Sequence, residues 1–464
     1  MKKKLLLAIC LMVSLAGYGQ TTKTVEGTKV TITNLVAGHL ADYLSDEERF
    51  TGTHMETIVD GEYTWNETVP DDPLVETLVV SGEINGDDIK IMADMCRWNW
   101  YDRHTGVMTY PKRGQLKHLD ISDCKIVAGG GHYFEATAYT RPEGTSEDLS
   151  GIAAWGLNAY FPHSLEGTTT TRDTENDVVG DYMFFGCDVL ETIKLPNTIK
   201  EIGESVFTCT WVLDEIVIPA SVNKIGARAF KQAYNSEKVD RYSITRDPED
   251  LPFTTVRLSK PLEDMDNVVE LGEDALKLSD PFMIMGGVMF TPLVHLYSPV
   301  YQLDDFAYNP QLQESYEKGH VKGVATPPNK YWTFSCGVDV YIPDNVKVYT
   351  CQIINGEADI NELTDELVDD TGKRMIKRNN GVLVACPDNA DSNAYELVAK
   401  YNADLVGTEP ATESRNDYPN NSLVAVVKKA HYTPGDYYML YHGKWVVLAS
   451  DAEQVPAGKA LLKK

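Results

Sequence analysis

The chain has 464 residues, 43% of them hydrophobic and 24% charged, with 34 Gly and 22 Pro; this is globular composition for two or three domains and excludes a collagen-like, coiled-coil or wholly disordered protein. Lys and Arg number 42 against 69 Asp and Glu, a formal net charge of -27, which excludes nucleic acid or an anionic membrane surface as a partner held by general electrostatics. An acidic balance of this kind serves solubility and resistance to self-association.

The first predicted element is a secretory signal peptide over residues 1–19. Lys2, Lys3 and Lys4 precede an apolar run from Leu5 to Leu15, and Gly17-Tyr18-Gly19 sets small residues where a signal peptidase would cut. Ile9 is too bulky to precede a lipidated Cys10, and no later segment reaches the roughly 18 uninterrupted apolar residues of a spanning helix. The mature protein is therefore expected outside the cytoplasm: secreted, on the cell surface or periplasmic. Its cysteines, Cys96, Cys124, Cys187, Cys209, Cys336, Cys351 and Cys386, include no C-x-x-C pair, so no metal site or other cofactor is expected of them.

Residues 20–115 read as an N-terminal cap region. Asp60-Gly61, set between strand-like residues 55–59 and 62–65, predicts a hairpin, and the region is expected to cover the open edge of the first repeat strand.

Residues 116–330 hold an internal repeat. Val179-Gly180-Asp181-Tyr182-Met183-Phe184, Ile202-Gly203-Glu204-Ser205-Val206-Phe207 and Ile225-Gly226-Ala227-Arg228-Ala229-Phe230 follow one another at intervals of 23 residues. The same interval relates Leu190 to Leu213, Ile193 to Ile216, Leu195 to Ile218, Pro196 to Pro219 and Ile199 to Val222. Each unit has a short alternating strand that Pro ends, a Gly expected to free the backbone for a tight turn, and a Phe expected to stack along the interior. One unit cannot cover its own apolar edge, whereas stacked units pair their strands and bury a continuous core. The predicted fold is mainly β with short turns and helices: a leucine-rich-repeat solenoid. Weaker copies begin at Leu116-x-x-Leu119-x-Ile121, Thr255-Val256-Arg257-Leu258, Leu293 and Val338, and residues 132–177 read as an insertion rich in aromatics.

From residue 331 the repeat phrase is gone. Asn355-Gly356, Asn380-Gly381 and His442-Gly443 mark hairpin turns between strand-like runs, so residues 331–464 are predicted to form a C-terminal β domain, a small sandwich.

The I-G-x-x-A-F phrase joined to L-x-x-I-x-L-P resembles the BspA-type leucine-rich-repeat proteins of bacterial cell surfaces. Gly38-His39-Leu40, Leu44-Ser45-Asp46-Glu47-Glu48, residues 78–89 and Leu119-Asp120-Ile121-Ser122-Asp123-Cys124 resemble the N-terminal cap of secreted members. Asn379-Asn380-Gly381-Val382-Leu383 and residues 455–461 resemble β modules that accompany such repeats. The resemblance implies protein binding, host adhesion or matrix attachment without catalysis.

Catalytic constellations are missing: the sequence has no H-E-x-x-H, G-x-S-x-G, G-x-x-x-x-G-K-[ST] or G-x-G-x-x-G, and no enzyme is expected. Gly129-Gly130-Gly131 lacks the Lys-Ser/Thr of a phosphate loop and reads as a flexible loop. The run from Asp388 to Asn393 lacks the oxygen ligand and central Gly of a calcium loop, and the pairs Asp71-Asp72 and Asp369-Asp370 read as solvated turn residues.

In stacked units the strands form one face whose outward side chains lie between the buried apolar ones. Here those are His118, Asp120, Thr192, Lys194, Glu215, Val217, Thr255 and Arg257, the candidate contacts for an extracellular protein partner. The alternative partner is a glycan, for which Trp98, Trp100 and Trp155 are the candidate stacking surfaces.

Overall fold

Alternation of apolar residues along short strands sets the architecture. The computed structural model describes residues 20–50, 54–59, 62–66, 75–97, 109–110, 114–137, 169–231, 253–259, 267–279, 293–297, 321–325, 330–386, 397–400, 413–427 and, with short gaps, 430–464, plus a few shorter pieces from 233 to 405. The protein is mostly β. It packs as two compact units, Met1–Thr210 and Trp211–Lys464, and the division falls inside the second 23-residue interval.

In the first unit β1 (Thr22–Glu26) pairs antiparallel with β2 (Lys29–Leu35). Then β2, β3 (Thr77–Ile84), β4 (His118–Ile126) and β5 (Thr192–Lys194) run parallel in that order. Val30 and Ile32, Leu78 and Val80, Leu119 and Ile121, and Ile193 are all buried, because the two-residue period sends alternate side chains to one face. The edge of β3 is thus taken by β2. The predicted hairpin does form, His54–Val59 against Glu62–Asn66, but it belongs to a separate sheet with Thr109–Tyr110.

Between β3 and β4 lies α1 (Gly86–Met95), the longest helix among the described residues. Ile89, Met92, Ala93 and Met95 are buried at helical spacing. The Gly129-Gly130-Gly131 loop packs on its start: Gly86 N–H donates to Gly129 O at 3.1 Å, and Gly131 N–H donates to the Asp87 carboxylate at 3.0 Å. Gly129 and Gly130 have φ of 120° and 75°, so this loop needs glycine for its shape.

The I-G-x-x-A-F phrases fold as turns laid one on the next. Val178–Val179 pairs parallel with Glu201–Ile202, and the N–H groups of Tyr182, Phe184 and Gly186 donate to the carbonyls of Glu204, Val206 and Thr208 at 2.9, 3.1 and 2.8 Å. Phe184 and Phe207 stack with ring planes 4° apart and centroids 5.9 Å apart. The glycine's role differs from the expected one. Gly203 has no positive φ; the left-handed residue comes two places later, at Tyr182, Ser205, Arg228 and Asp274, with φ of 62°, 53°, 54° and 54°. Glycine is needed because a Cβ on Gly203 would stand 2.6 Å from the Asp181 backbone nitrogen of the preceding turn. Gly203→Ala is therefore expected to cost about 2 kcal/mol by overpacking against rigid backbone, read as a lowered urea midpoint with an unchanged slope.

The root of the insertion is a hairpin, Phe134–Thr137 against Thr169–Arg172. Tyr133 is buried and donates its OH to Asp181 O at 3.0 Å, and Phe134 stacks on Tyr182 at 5.1 Å. Residues 138–168, with Trp155, Tyr160 and Phe161, lie outside the described residues.

In the second unit β6 (Glu215–Ile218), β7 (Phe253–Leu258), β8 (Leu293–Tyr297) and β9 (Val321–Ala325) are parallel neighbours in sequence order. Leu397–Ala399 then pairs antiparallel with β9, and Val340–Tyr341 with Leu397–Ala399. The strand expected at Val338 as a last repeat thus joins an antiparallel arrangement instead.

Two further sheets follow: β10 (Lys330–Phe334), β11 (Lys347–Ile354), β12 (Glu357–Leu363) and β13 (Val382–Cys386) in the order β10-β13-β11-β12, and β14 (Leu423–Val426), β15 (Tyr437–Tyr441), β16 (Lys444–Val447) and β17 (Lys459–Lys463) in the order β14-β17-β15-β16. Cys351 and Leu383 of one cluster with Leu423, Ala460 and Leu462 of the other. Asn355-Gly356 makes the predicted two-residue hairpin between β11 and β12, both with positive φ. Asn380-Gly381 does not: Asn380 is buried and its amide donates to Lys377 O, Arg378 O and Asp417, which fixes a crossing between strands of different sheets.

Candidate functional site

The parallel register brings the outward side chains of the first unit into rows. Lys29, Thr77, His118 and Thr192 form one row, and Thr31, Val79, Asp120 and Lys194 the next. None of the eight is buried. Lys29, Thr31, Thr77 and Val79 were not among the sequence candidates, although Val30-Thr31-Ile32 and Leu78-Val79-Val80 carry the same alternation as the repeats.

Within these rows the polar groups satisfy one another. Lys194 Nζ donates to Asp120 Oδ2 at 2.8 Å, and Ser122 donates its N–H and hydroxyl to Asp120 Oδ1 at 3.1 and 2.7 Å. Partial burial alone would raise the Asp120 pKa, but the Lys194 and Ser122 hydrogen bonds outweigh it and hold the carboxyl below its ordinary value. The bond from Lys194 to Asp120 raises the lysine's pKa in turn. His118 Nδ1 and Thr192 Oγ1 share a 3.0 Å hydrogen bond, and Lys117 pairs with Glu76 at 3.3 Å beside them. Held this way, the face offers fixed charges, hydroxyls and methyl groups at strand spacing.

In the second unit Glu215, Thr255 and His295 share one register, and Val217, Arg257 and Tyr297 the next. Arg257 Nε reaches Glu215 Oε2 at 3.0 Å. Thr255 departs from expectation. It is only 8% exposed, a short side chain in register between the longer Glu215 and His295, so it is closed off from a partner while Glu215, Val217 and Arg257 stay partly open. Trp98, Trp100 and Trp155 lie outside the described residues.

Of the other acidic features, Asp369 is bonded within its own turn. Asp369 Oδ1 accepts from Thr371 N–H, Thr371 Oγ1 and Lys373 N–H at 2.9, 2.6 and 3.0 Å, and the Thr371 hydroxyl leads the groups that hold its carboxyl well below the usual range. Asp388 to Asn393 and Asp71-Asp72 fall outside the described residues. Among the described residues no group of three or more His, Cys, Asp or Glu side chains is placed to hold a metal ion, and no helix is long and apolar enough to cross a membrane.

Residues 158–277 match the family model of the BspA type leucine-rich repeat region, in six copies. This stretch is a BspA-type leucine-rich repeat region. The match takes in both stacked turns of the first unit and the strands β5, β6 and β7, and with them Thr192, Lys194, Glu215, Val217, Thr255 and Arg257. A search of curated proteins finds no match to the chain. The BspA-type repeats point to a role in protein interaction, the use to which an extended row of strand side chains is suited.

Proposed function

We propose that the chain is an exported, non-enzymatic BspA-like protein whose repeats form a solenoid and bind an extracellular protein, as in adhesion to a host or matrix surface. One observation carries the reading: the outward residues of successive parallel strands stand in register, Thr77-His118-Thr192 beside Val79-Asp120-Lys194, a surface that lengthens with every strand. The leader-like residues 1–19 support export. The contact of Cys351 and Leu383 with Leu423, Ala460 and Leu462 supports a C-terminal sandwich.

The test is binding of the purified protein to a panel of extracellular-matrix proteins and a panel of glycans at physiological salt. Asp120→Ala with Lys194→Ala is one variant, and Glu215→Ala with Arg257→Ala a second. Both are expected to keep the fold, since exposed ion pairs contribute about 1 kcal/mol or less, and at least one is expected to weaken protein binding tenfold or more. Saturable binding that neither variant changes would remove the face from the proposal. Binding to glycans alone would replace the partner class.

A further inference from the structure

Cys96 closes α1 and Cys187 closes the first repeat turn. Both are 0% exposed, and their thiols are in hydrogen-bond contact. Cys187 Sγ donates to Ala93 O at 3.6 Å, which leaves Cys96 to donate to the Cys187 sulfur. The backbones are knit at the same point: Val189 N–H donates to Cys96 O at 3.2 Å, and Arg97 Nε donates to Phe185 O at 3.2 Å. The repeat does not require a cysteine at this position. One interval on, Thr210 stands in place of Cys187, is equally buried, and turns its hydroxyl back onto Phe207 O of its own turn at 2.7 Å. That turn keeps its own buried cysteine one residue earlier, at Cys209, so the position that meets the end of α1 is cysteine in the first turn and threonine in the second. Cys124 is used otherwise, its Sγ donating to Val80 O at 3.1 Å.

We infer that Cys96 and Cys187 are a disulfide pair that covalently ties the end of α1 to the first repeat turn. The two thiols give up two electrons and two protons to a disulfide oxidant, whose S–S bond breaks and leaves as two thiols while the Cys96–Cys187 bond forms. With both sulfurs closed to solvent in the folded chain, and burial holding the Cys96 thiol protonated well above its ordinary pKa, exchange is slow once folding is complete. The bond therefore forms during folding and is then shielded from reductant. The loop it closes contains β4 and the whole insertion, so the bond fixes both ends of the segment that carries the first unit's aromatic insert.

In the cell the inference rests on the export reading, because an oxidising compartment must supply the oxidant; in the test tube oxidised glutathione supplies it and export plays no part. The full chain is unfolded in reductant, refolded with oxidised and reduced glutathione, alkylated with iodoacetamide under denaturing conditions, digested and mapped by mass spectrometry. The expected product is a linked peptide pair containing Cys96 and Cys187 that disappears on reduction. Protein refolded without the oxidant should melt about 10 °C lower, the size expected for opening so long a loop. Alkylation of both cysteines in the oxidatively refolded protein, or linkage of either to a different cysteine, would overturn the assignment.

Discussion

Replacing Asp88 by alanine is expected to destabilise the first unit by about 4 kcal/mol, because it strands three backbone donors at once. Asp88 is fully buried. Its Oδ2 accepts from Gly38 N–H at 2.6 Å and Asn85 N–H at 3.0 Å, and its Oδ1 from Leu40 N–H at 2.9 Å. The Asn85 bond is half of a reciprocal cap at the start of α1; the other two hold the Gly38-His39-Leu40 segment onto the helix, so one carboxylate joins two stretches of chain.

The same residue gives stability a pH dependence of definite sign. Burial pushes the Asp88 carboxyl above its ordinary 3.8, and the three N–H donors pull against that shift without cancelling it. A folded-state pKa above the unfolded one means that the folded chain binds the proton more tightly. Its contribution is fully present below about pH 4 and is lost as pH rises through the raised value. Asp88→Asn, which keeps the volume and one acceptor oxygen, is expected to cost about 1 to 2 kcal/mol and to flatten this slope. Urea denaturation of the parent and both variants from pH 4 to 8 measures it. A loss under 1 kcal/mol for Asp88→Ala would show that water replaces the carboxylate.

How much of this was legible in the sequence follows from where each constraint resides. The 23-residue phrase exposed the turns and the Phe stack because identical turns need identical interior residues. The strand rows of Thr192 and Glu215 followed from alternation alone. The glycine's reason did not, since a close approach between turns is a property of the stacked pair and leaves the same residue as a need for positive φ would. Asn85-Gly86-Asp87-Asp88 is a readable cap signature, yet the helix it starts fell inside a segment read through its family likeness, and its buried carboxylate serves Gly38 and Leu40, some 48 to 50 residues away. Thr255 failed for a related reason: alternation assigns a face, but the heights of the neighbours across the strand decide whether that face is open. Asn380-Gly381 carried turn chemistry into a crossing between sheets, which a local dipeptide cannot distinguish from a hairpin.

Phe207→Ala should have an effect of the same size as Asp88→Ala and test the repeat directly. Phe207 is fully buried, and its ring lies flat on Phe184, so truncation removes a large apolar side chain, leaves a cavity and breaks an aromatic pair, about 4 kcal/mol in all. Relaxation into the cavity is resisted from both sides: Phe184 N–H is bonded to Val206 O at 3.1 Å, and the Thr210 hydroxyl and N–H both donate to Phe207 O, at 2.7 and 3.3 Å. Phe207→Leu keeps most of the volume and should cost nearer 1 to 2 kcal/mol. In stacked units stability is a sum of turn and neighbour terms, so the loss should be concentrated in the turns that touch Phe207. Hydrogen exchange should quicken most at Phe184 and Gly186, whose N–H groups bond to the 206–208 segment, and less at Val30 and Ile32 in β2, where the pairing is independent of the turns. The outward row through Thr192 and Lys194 stands on these turns, so partner binding through Lys194 should weaken in step with the local exchange. Uniform acceleration across the first unit would mean that it unfolds as one cooperative body and that the stack has no local role in holding the face.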